Sequence, residues 1–434
     1  YRAAADRHDC NGATIARSSA GGTPNFRLFY VNPGANLTLN QVRLTNGFAE
    51  LGGGIYNNGT LRLTEVSVES NTATSGGGGI YSVNTVTLHQ SAVINNTAND
   101  YGGGIANDGG TLHVINSTIS GNSALGTGSS GGGGAIDSYD TAPNMLFIQT
   151  TITNNTAVAP NAERSGIWQE AGTLTIRNSI IAKNIGGNCL FSGGTRSINA
   201  YNMEDASTCG FTGTYGICAD PRLLPLASNG GLTQTHALLP NSPAINGGFN
   251  GDALDQTGAA LTTDQRGAGF PRINGGTVDI GAVEAALSSL QGRANPTPHA
   301  SWVITAQVSV LPAGGGTPLL TQNFVTDQNG SLTIPNLPTG TYQFRIKGTH
   351  ALARVFTLEL LPGANSTQTN TLWEGDADGN NLVNVTDFSL LATAFSKSTG
   401  QQGFNALTDF NNDGLVNILD FSLLATNFGK SGDS

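Results

Sequence analysis

Apolar residues recur along the first half of this chain in a unit of roughly 25 residues. The alternating triplets Leu37-Thr-Leu39, Leu61-Arg-Leu63, Val86-Thr-Leu88, Leu112-His-Val114, Met145-Leu-Phe147 and Leu174-Thr-Ile176 follow one another at steps of 24, 25, 26, 33 and 29 residues. Seven residues into each unit stands a second apolar position, at Leu44, Val68, Val93, Ile119, Ile152 and Ile181. Three residues later Asn recurs at Asn71, Asn96, Asn122, Asn155 and Asn184. A Gly-Gly-Gly-Ile signature marks Gly52–Ile55, Gly77–Ile80 and Gly102–Ile105, and weakens at Gly132–Ile136 and Gly166-Ile167. Alternation over four to six residues predicts short strands. A fixed period of this length predicts a solenoid whose equivalent apolar positions stack into one continuous core. From about residue 13 to 220 the expected architecture is a right-handed parallel β-helix, with Gly at corners that need positive φ or close backbone approach. The recurring Asn is expected to form a structural ladder.

Alternation also predicts which side chains leave the core. The second and fourth residues of each aligned strand are mostly polar, but Ile115, Leu146 and Ile148 on adjacent coils are not. Two readings stay open: a long turn folds over them, or they form a lateral contact between subunits. His89 and His113 beside them read as surface residues, since no third metal ligand has suitable spacing.

The units resemble the repeats of polymorphic outer-membrane proteins of the chlamydial type, which pair a Gly-Gly-x-Ile motif with a Phe-x-x-Asn motif. Val68-x-x-Asn71, Val93-x-x-Asn96, Ile119-x-x-Asn122, Ile152-x-x-Asn155 and Ile181-x-x-Asn184 stand in for the second, with an aliphatic residue in place of the aromatic. The resemblance implies a β-helix, often adhesive. From 220 to 286 the motifs Asp220-Pro-Arg222, Asn229-Gly-Gly231, Ser242-Pro-Ala-Ile-Asn246, Asp264-Gln-Arg266-Gly267, Pro271-Arg272 and Asp279-Ile-Gly-Ala-Val-Glu284 resemble the tail of "choice-of-anchor" bacterial surface proteins. Asp264, Arg266, Arg272, Asp279 and Glu284 are read as ion pairs locking a cap over the open last coil, so the β-helix with its cap is assigned to 1–286.

Residues 287–300, bearing Ser, Gly and Asn295-Pro-Thr-Pro298, read as a linker. Alternating segments over 301–372 predict about seven strands and a small β-sandwich. Asp327-x-x-Gly330-x-Leu332-x-Ile334-x-x-Leu337-Pro-x-Gly340-x-Tyr342 resembles carboxypeptidase-regulatory or prealbumin-like modules, which implies a spacer.

Residues 373–434 carry the strongest motif. Asp376, Asp378, Asn380, Leu382, Asn384 and Asp387 fall at places 1, 3, 5, 7, 9 and 12 of a calcium loop. The set recurs as Asp409, Asn411, Asp413, Leu415, Asn417 and Asp420, the Leu acting through the carbonyl and Asn417 directly or through water. Gly414 holds the sharp turn of the second loop; Asn381 replaces it in the first, where weaker binding is expected. A helix follows each loop, with Phe388, Leu391, Ala392 and Phe395, and Phe421, Leu424, Ala425 and Phe428, at i, i+3, i+4 and i+7. These stripes are expected to pack on each other. The whole is similar to a type I dockerin, which implies two Ca²⁺ ions and a cohesin-like partner. The partner-reading places, often Ser-Thr in that family, are Val385-Thr386 and Ile418-Leu419 here. The socket is therefore a cohesin-like protein or another copy of this chain.

Composition narrows the class. Charged residues make up 11% against an ordinary ~25%. The net charge of −10 lies largely in the last module, and no basic stripe suggests nucleic acid. No apolar run approaches the ~18 residues of a membrane span. The start at Tyr1 reads as a processed N-terminus of a secreted or cell-surface protein. Of four cysteines, Cys189–Cys209 is the expected disulfide. Cys10 and Cys218 then join two ends of a domain or pair between subunits, free thiols being the alternative.

The sequence thus predicts a mainly β protein: a β-helix, a β-sandwich and an α-helical calcium module. The expected function is a non-catalytic extracellular structural protein joined to a calcium-dependent connector, as in a filament or surface assembly. One alternative is a polysaccharide-degrading lyase or hydrolase, with Asp137, Asp140, Glu163 and Glu170 as acids and Arg164 nearby. Another is a glycan-binding adhesin, for which Trp168, the lone Trp of the coils, offers a poor stacking platform.

Overall fold

In the computed structural model, residues 6–128, 132–140, 143–158, 160–198, 201–211, 216–274, 276–296, 303–361 and 363–433 are described. The chain forms two compact units that part after Ala285.

The first unit is a parallel β-solenoid. One coil consists of Ile80–Ser82, Thr85–His89, Ala92–Ile94 and Thr97–Ala98, each strand pairing in parallel with its equivalents one coil before and one coil after. The long strand Asn36–Thr45 joins two of the walls, because its first half pairs with Thr60–Thr64 and its last residues with Ser67–Glu69. Register follows the sequence repeat: Leu37, Leu61, Val86, Leu112, Met145 and Leu174 are successive partners, as are Leu44, Val68, Val93, Ile119, Ile152 and Ile181. Nearly all are fully buried and form one continuous core.

The Asn ladder runs inside the wall. Each Asn Nδ2 donates to the Oδ1 of the next, from Asn71 to Asn96, Asn122, Asn155 and Asn184, at 2.9–3.0 Å. The same amides also donate to carbonyls of the preceding coil, such as Leu44 O and Val68 O, so groups with no access to water are satisfied. At the Gly-rich corner Gly77 has φ 67°, while a Cβ on Gly78 would lie 2.4 Å from the carbonyl oxygen of Gly103. The first glycine is thus needed for its conformation and the second for its lack of a side chain.

Segment 220–285 is not an end cap. It lies along the flank of several coils, where the corner residues hold it. Gln90 donates to Thr263 and to the Asp264 carbonyl, Asn116 to the Thr263 carbonyl, and Asn178 to the Phe249 carbonyl. Ser120 meets His236 at 2.9 Å. These corners sit at positive φ in every coil (Glu65, Gln90, Asn116, Gln149, Asn178), a conformation that interrupts the strand and frees polar groups for the segment. Arg272 is fully buried and bonds Glu284 at 2.9 Å, Asn116 and the Gly281 carbonyl; Asp264 pairs with Arg266 at 2.6 Å. Asp279 accepts from Asn246 N and Ala285 N, so all five charged residues are bound into the fold, but they lock a flank rather than an open coil end.

That placement also corrects the reading of Ile115, Leu146 and Ile148 as a contact between subunits. Ile115 and Ile148 are buried against Leu261 of the flanking segment, with Leu146 packed beside them. An outward position turns apolar because another part of the same chain covers it. Cys189 and Cys209 form the disulfide. Cys218 is a free, exposed thiol, so it does not join Cys10; the Cys10 side chain lies outside the described residues.

The second unit contains a sandwich of two sheets. One holds Leu320–Val325, Thr305–Pro312, Gly340–Gly348 and Arg354–Leu360; the other holds Ser331–Pro338, Leu287–Pro296 and Gly363–Leu372, in those orders. Val308, Val310, Phe344 and Ile346 meet Leu290, Ile334 and Leu337 in its core. The segment 287–300 read as a linker therefore contributes a central strand over Leu287–Pro296. Its inward positions are Ser288, Leu290, Gly292 and Ala294, all buried, but Ser and Gly at two of the four hide the alternation. Helices α1 (Val385–Ala394) and α2 (Ile418–Asn427) complete the unit. No helix among the described residues is long and apolar enough to cross a membrane.

Candidate calcium-dependent docking module

Each helix begins where its loop ends, and the same carboxylate serves both. Asp387 accepts from Ala377 N (2.8 Å) and Asp378 N (3.1 Å) with Oδ1, and from Asn384 N (2.8 Å) with Oδ2. Asp420 does the same for Asn411 N and Asn417 N. These are capping boxes: Asn384 and Asn417 supply the N-cap oxygens, to Thr386 N and Leu419 N. Their carboxamide oxygens are engaged by the helices, which fits an indirect, water-mediated part in the loops rather than direct coordination.

The remaining donors converge. One carboxylate oxygen from each of Asp376, Asp378 and Asp387 lies within 4.8 Å of the others. Asp376 Oδ1 is buried and has no partner among the described residues. In the second loop, burial and the neighbouring charges of Asp409 and Asp413 push the Asp420 carboxyl up. All-oxygen donors, several anionic and desolvated, are what a hard divalent cation relieves. The residues therefore fit Ca²⁺. The turn residues differ as the sequence suggests: Gly414 has φ 84° and Asn381 φ 70°.

The helix stripes do not pack as expected. Leu391, Ala394, Leu423 and Leu424 are buried with Val383, Phe410, Val416 and Leu352. Ala392 and Ala425 face solvent, as do Phe395 and Phe428. Phe388 and Phe421 touch edge to face at 6.2 Å yet stay partly exposed. The two helices are too short, at ten residues each, to bury both a stripe and the loop carboxylates; the loops' own Val383, Phe410 and Val416 take the core positions instead. The partner-reading positions are exposed in both copies: Val385 65%, Ile418 63% and Leu419 56%, with Thr386 also exposed.

The sandwich grips the module in a way the sequence did not announce. Lys347 bonds Asp376 at 2.5 Å, Ala353 N donates to Asn381 Oδ1, and Asn381 Nδ2 donates to the Asp433 carbonyl. His350 Nδ1 lies 2.5 Å from Glu374, with its ring against Phe410. Asn381 is thus more than a tolerated replacement for Gly: its side chain ties loop, sandwich and tail together. An Asn where the loop pattern asks for Gly was the one available signal.

On the coils, the four candidate acids separate. Asp137 and Glu170 line one cavity with Tyr101, Tyr139 and Trp168. Asp140 and Glu163 are exposed in turns and line no part of it. His89 and His113 belong to no metal-type cluster among the described residues.

Residues 374–428 match the family model of the dockerin type I domain, and residues 65–83 match the Chlamydia polymorphic membrane protein repeat. Among solved structures, the chain is similar to two interface mutants of a type II cohesin–X-dockerin complex from Acetivibrio cellulolyticus, one N-terminal and one C-terminal. Each is 25% identical, with a TM-score of 0.29, over 33% of this chain and 97% of the other. No curated protein sequence matches. The chain is thus a β-solenoid with polymorphic-membrane-protein-like repeats that carries a C-terminal dockerin module, a class of module that generally binds calcium and is typically extracellular or on the cell surface.

Proposed function

We propose that this chain is a non-catalytic extracellular rod that is plugged into a larger assembly through its C-terminal module. Two Ca²⁺ ions are held, one by Asp376, Asp378, Asn380, the Leu382 carbonyl and Asp387, the other by Asp409, Asn411, Asp413, the Leu415 carbonyl and Asp420, with Asn384 and Asn417 acting indirectly. The observation that carries this reading is the duplicated loop–helix unit, with convergent carboxylates in the first loop and exposed apolar residues at both helix starts. The socket is a cohesin-type module. It presents an apolar surface to Val385, Ile418 and Leu419, in place of the hydroxyl-reading surface that a Ser-Thr pair would meet. Ordered loops fix the helix starts, so docking depends on calcium.

The test is titration calorimetry of the full chain against a panel of cohesin modules, with calcium and then with chelator. Nanomolar to micromolar binding to at least one cohesin, abolished by chelator and weakened at least tenfold by Ile418→Asp, supports the reading. Binding that persists in chelator overturns it. Calcium-dependent self-association without cohesin binding overturns the cohesin socket in favour of a second copy of this chain.

A further inference from the structure

We propose that the cavity lined by Tyr101, Asp137, Tyr139, Trp168 and Glu170 is a binding subsite for one neutral pyranose unit of a glycan. The site is built by three successive coils. Strand register places Asp137 directly beside Trp168, and Tyr81 two coils before Asp137, with Ala106 between them. Tyr101 and Tyr139 are added from a corner and a strand end, and their rings meet edge to face at 5.4 Å. A single Trp was a poor platform in sequence; the stacking of coils gives it two tyrosines as neighbours.

The polar groups say what the cavity holds. Asp137 is 1% exposed, and its Oδ1 has no hydrogen-bond partner among the described residues. The indole Nε1 of Trp168, 6% exposed, has none either. A buried acceptor and a buried donor left open on the same small cavity are costly unless an occupant satisfies both. A sugar ring does, since each hydroxyl both donates and accepts, while its C–H faces lie on aromatic walls. Tyr139 hydrogen-bonds the hydroxyls of Tyr81 and Tyr101, which fixes the wall in place.

Charge narrows the class further. Arg164 stacks on the Trp168 ring at 3.7 Å from its centre, so one indole face is taken, and Trp168 serves the cavity with its N–H donor beside the rings of Tyr101 and Tyr139. Acidic sugars would meet the charge of Glu170 at the rim, the same charge that acts on Asp137. Burial and the Glu170 charge hold the Asp137 carboxyl well above the usual range, which suits a group that exchanges hydrogen bonds with neutral hydroxyls. The cavity volume of about 210 Å³ equals the share of about seven waters, the scale of one sugar ring rather than a peptide segment. Glu170 is exposed at its rim.

The test is calorimetry of the full chain against cellohexaose, xylohexaose, mannohexaose and laminarihexaose, with polygalacturonate as the acidic control. At least one neutral oligosaccharide is expected to bind. Binding should weaken about tenfold or more in Asp137→Asn and Trp168→Ala, each worth about one lost buried interaction, and less in Glu170→Gln at the rim. Glu170→Gln lies on the surface and Asp137→Asn keeps the side-chain shape, so melting curves like the wild type's would separate lost binding from lost folding. No binding to any neutral probe at millimolar concentration, equal binding by all three variants, or a preference for polygalacturonate overturns the proposal. Release of reducing ends that stops in Glu170→Gln would support a saccharide at this cavity and would overturn the non-catalytic reading of the rod.

Discussion

Loop 376–387 and loop 409–420 carry carboxylates at the same first and last places, and each hands its last Asp to a helix through the same capping box. Their surroundings differ. Asp376 is bonded by Lys347 of the sandwich, and Asn381 is tied to Ala353 and to the tail at Asp433. In the second loop Asp409 is satisfied by the backbone of its own turn, through Asp413 N and Gly414 N, and Gly414 has no side chain to tie anything. The ligand Asp376 is braced from outside its loop, whereas Asp409 is held within its own; the second loop meets the sandwich through Phe410, against His350, rather than through a ligand. Duplicated sequence therefore does not imply duplicated energetics.

Removing calcium should have the largest effect. With free calcium at a thousandfold its dissociation constant, each ion stabilises the module by about 4 kcal/mol. Chelation should lower the melting point of the C-terminal unit steeply, and hydrogen exchange should show α2 opening before α1. Equal opening of the two helices would break the comparison.

A pH titration comes next, because it acts oppositely on the two units. Burial first, and then crowding of negative charge, raises Asp279 to about 6 and Glu284 to about 7 beside buried Arg272. A carboxyl whose folded pKa lies above its unfolded value binds more protons when folded. Its contribution grows as pH falls through the folded value and is lost as pH rises. Lowering pH from 8 to 5.5 should thus stabilise the coil unit by on the order of 2 kcal/mol. The same acidification lets a proton compete for Asp420, whose carboxyl burial holds above its usual range, and weakens calcium binding at the second loop. Calorimetric scans that resolve two transitions should show them move in opposite directions.

Asn381→Ala removes two hydrogen bonds and leaves a Cβ residue at positive φ, for a cost of about 2 kcal/mol. Gly414→Ala adds only the conformational strain, about 1 kcal/mol. Urea unfolding in chelator compares the two directly, and a larger cost at Gly414 would contradict the brace. Smallest is Lys347→Ala. The lysine competes with the cation for Asp376, so its removal should raise calcium affinity of the first loop severalfold, about 1 kcal/mol, and leave the second constant unchanged in a two-site titration.

Legibility in the sequence followed the range of the interactions. The coil register was readable to the residue, because each triplet pairs with its copy one period away and the period is written in Leu, Val, Ile, Asn and Gly. The calcium loops were readable because all their ligands are local. The strand at Leu287–Pro296 was missed, since a partner in Gly363–Leu372 and another in Ser331–Pro338 give a weakly patterned segment its conformation. The burial of Ile115 and Ile148 was left undecided for the same reason: Leu261, which covers them, is more than a hundred residues away.

By itself, then, the sequence determined the repeating coil, the Asn ladder, the disulfide partners and the two loop–helix units, all set by local pattern or by stacking like on like. Tertiary structure decided where the 220–285 segment lies, which carboxylate Lys347 meets, and that Asp137 and Trp168 share one cavity. Those depend on contacts between unlike parts of the chain, and such contacts leave no period to read: they are fixed by which polar groups remain unsatisfied once the repeats have folded.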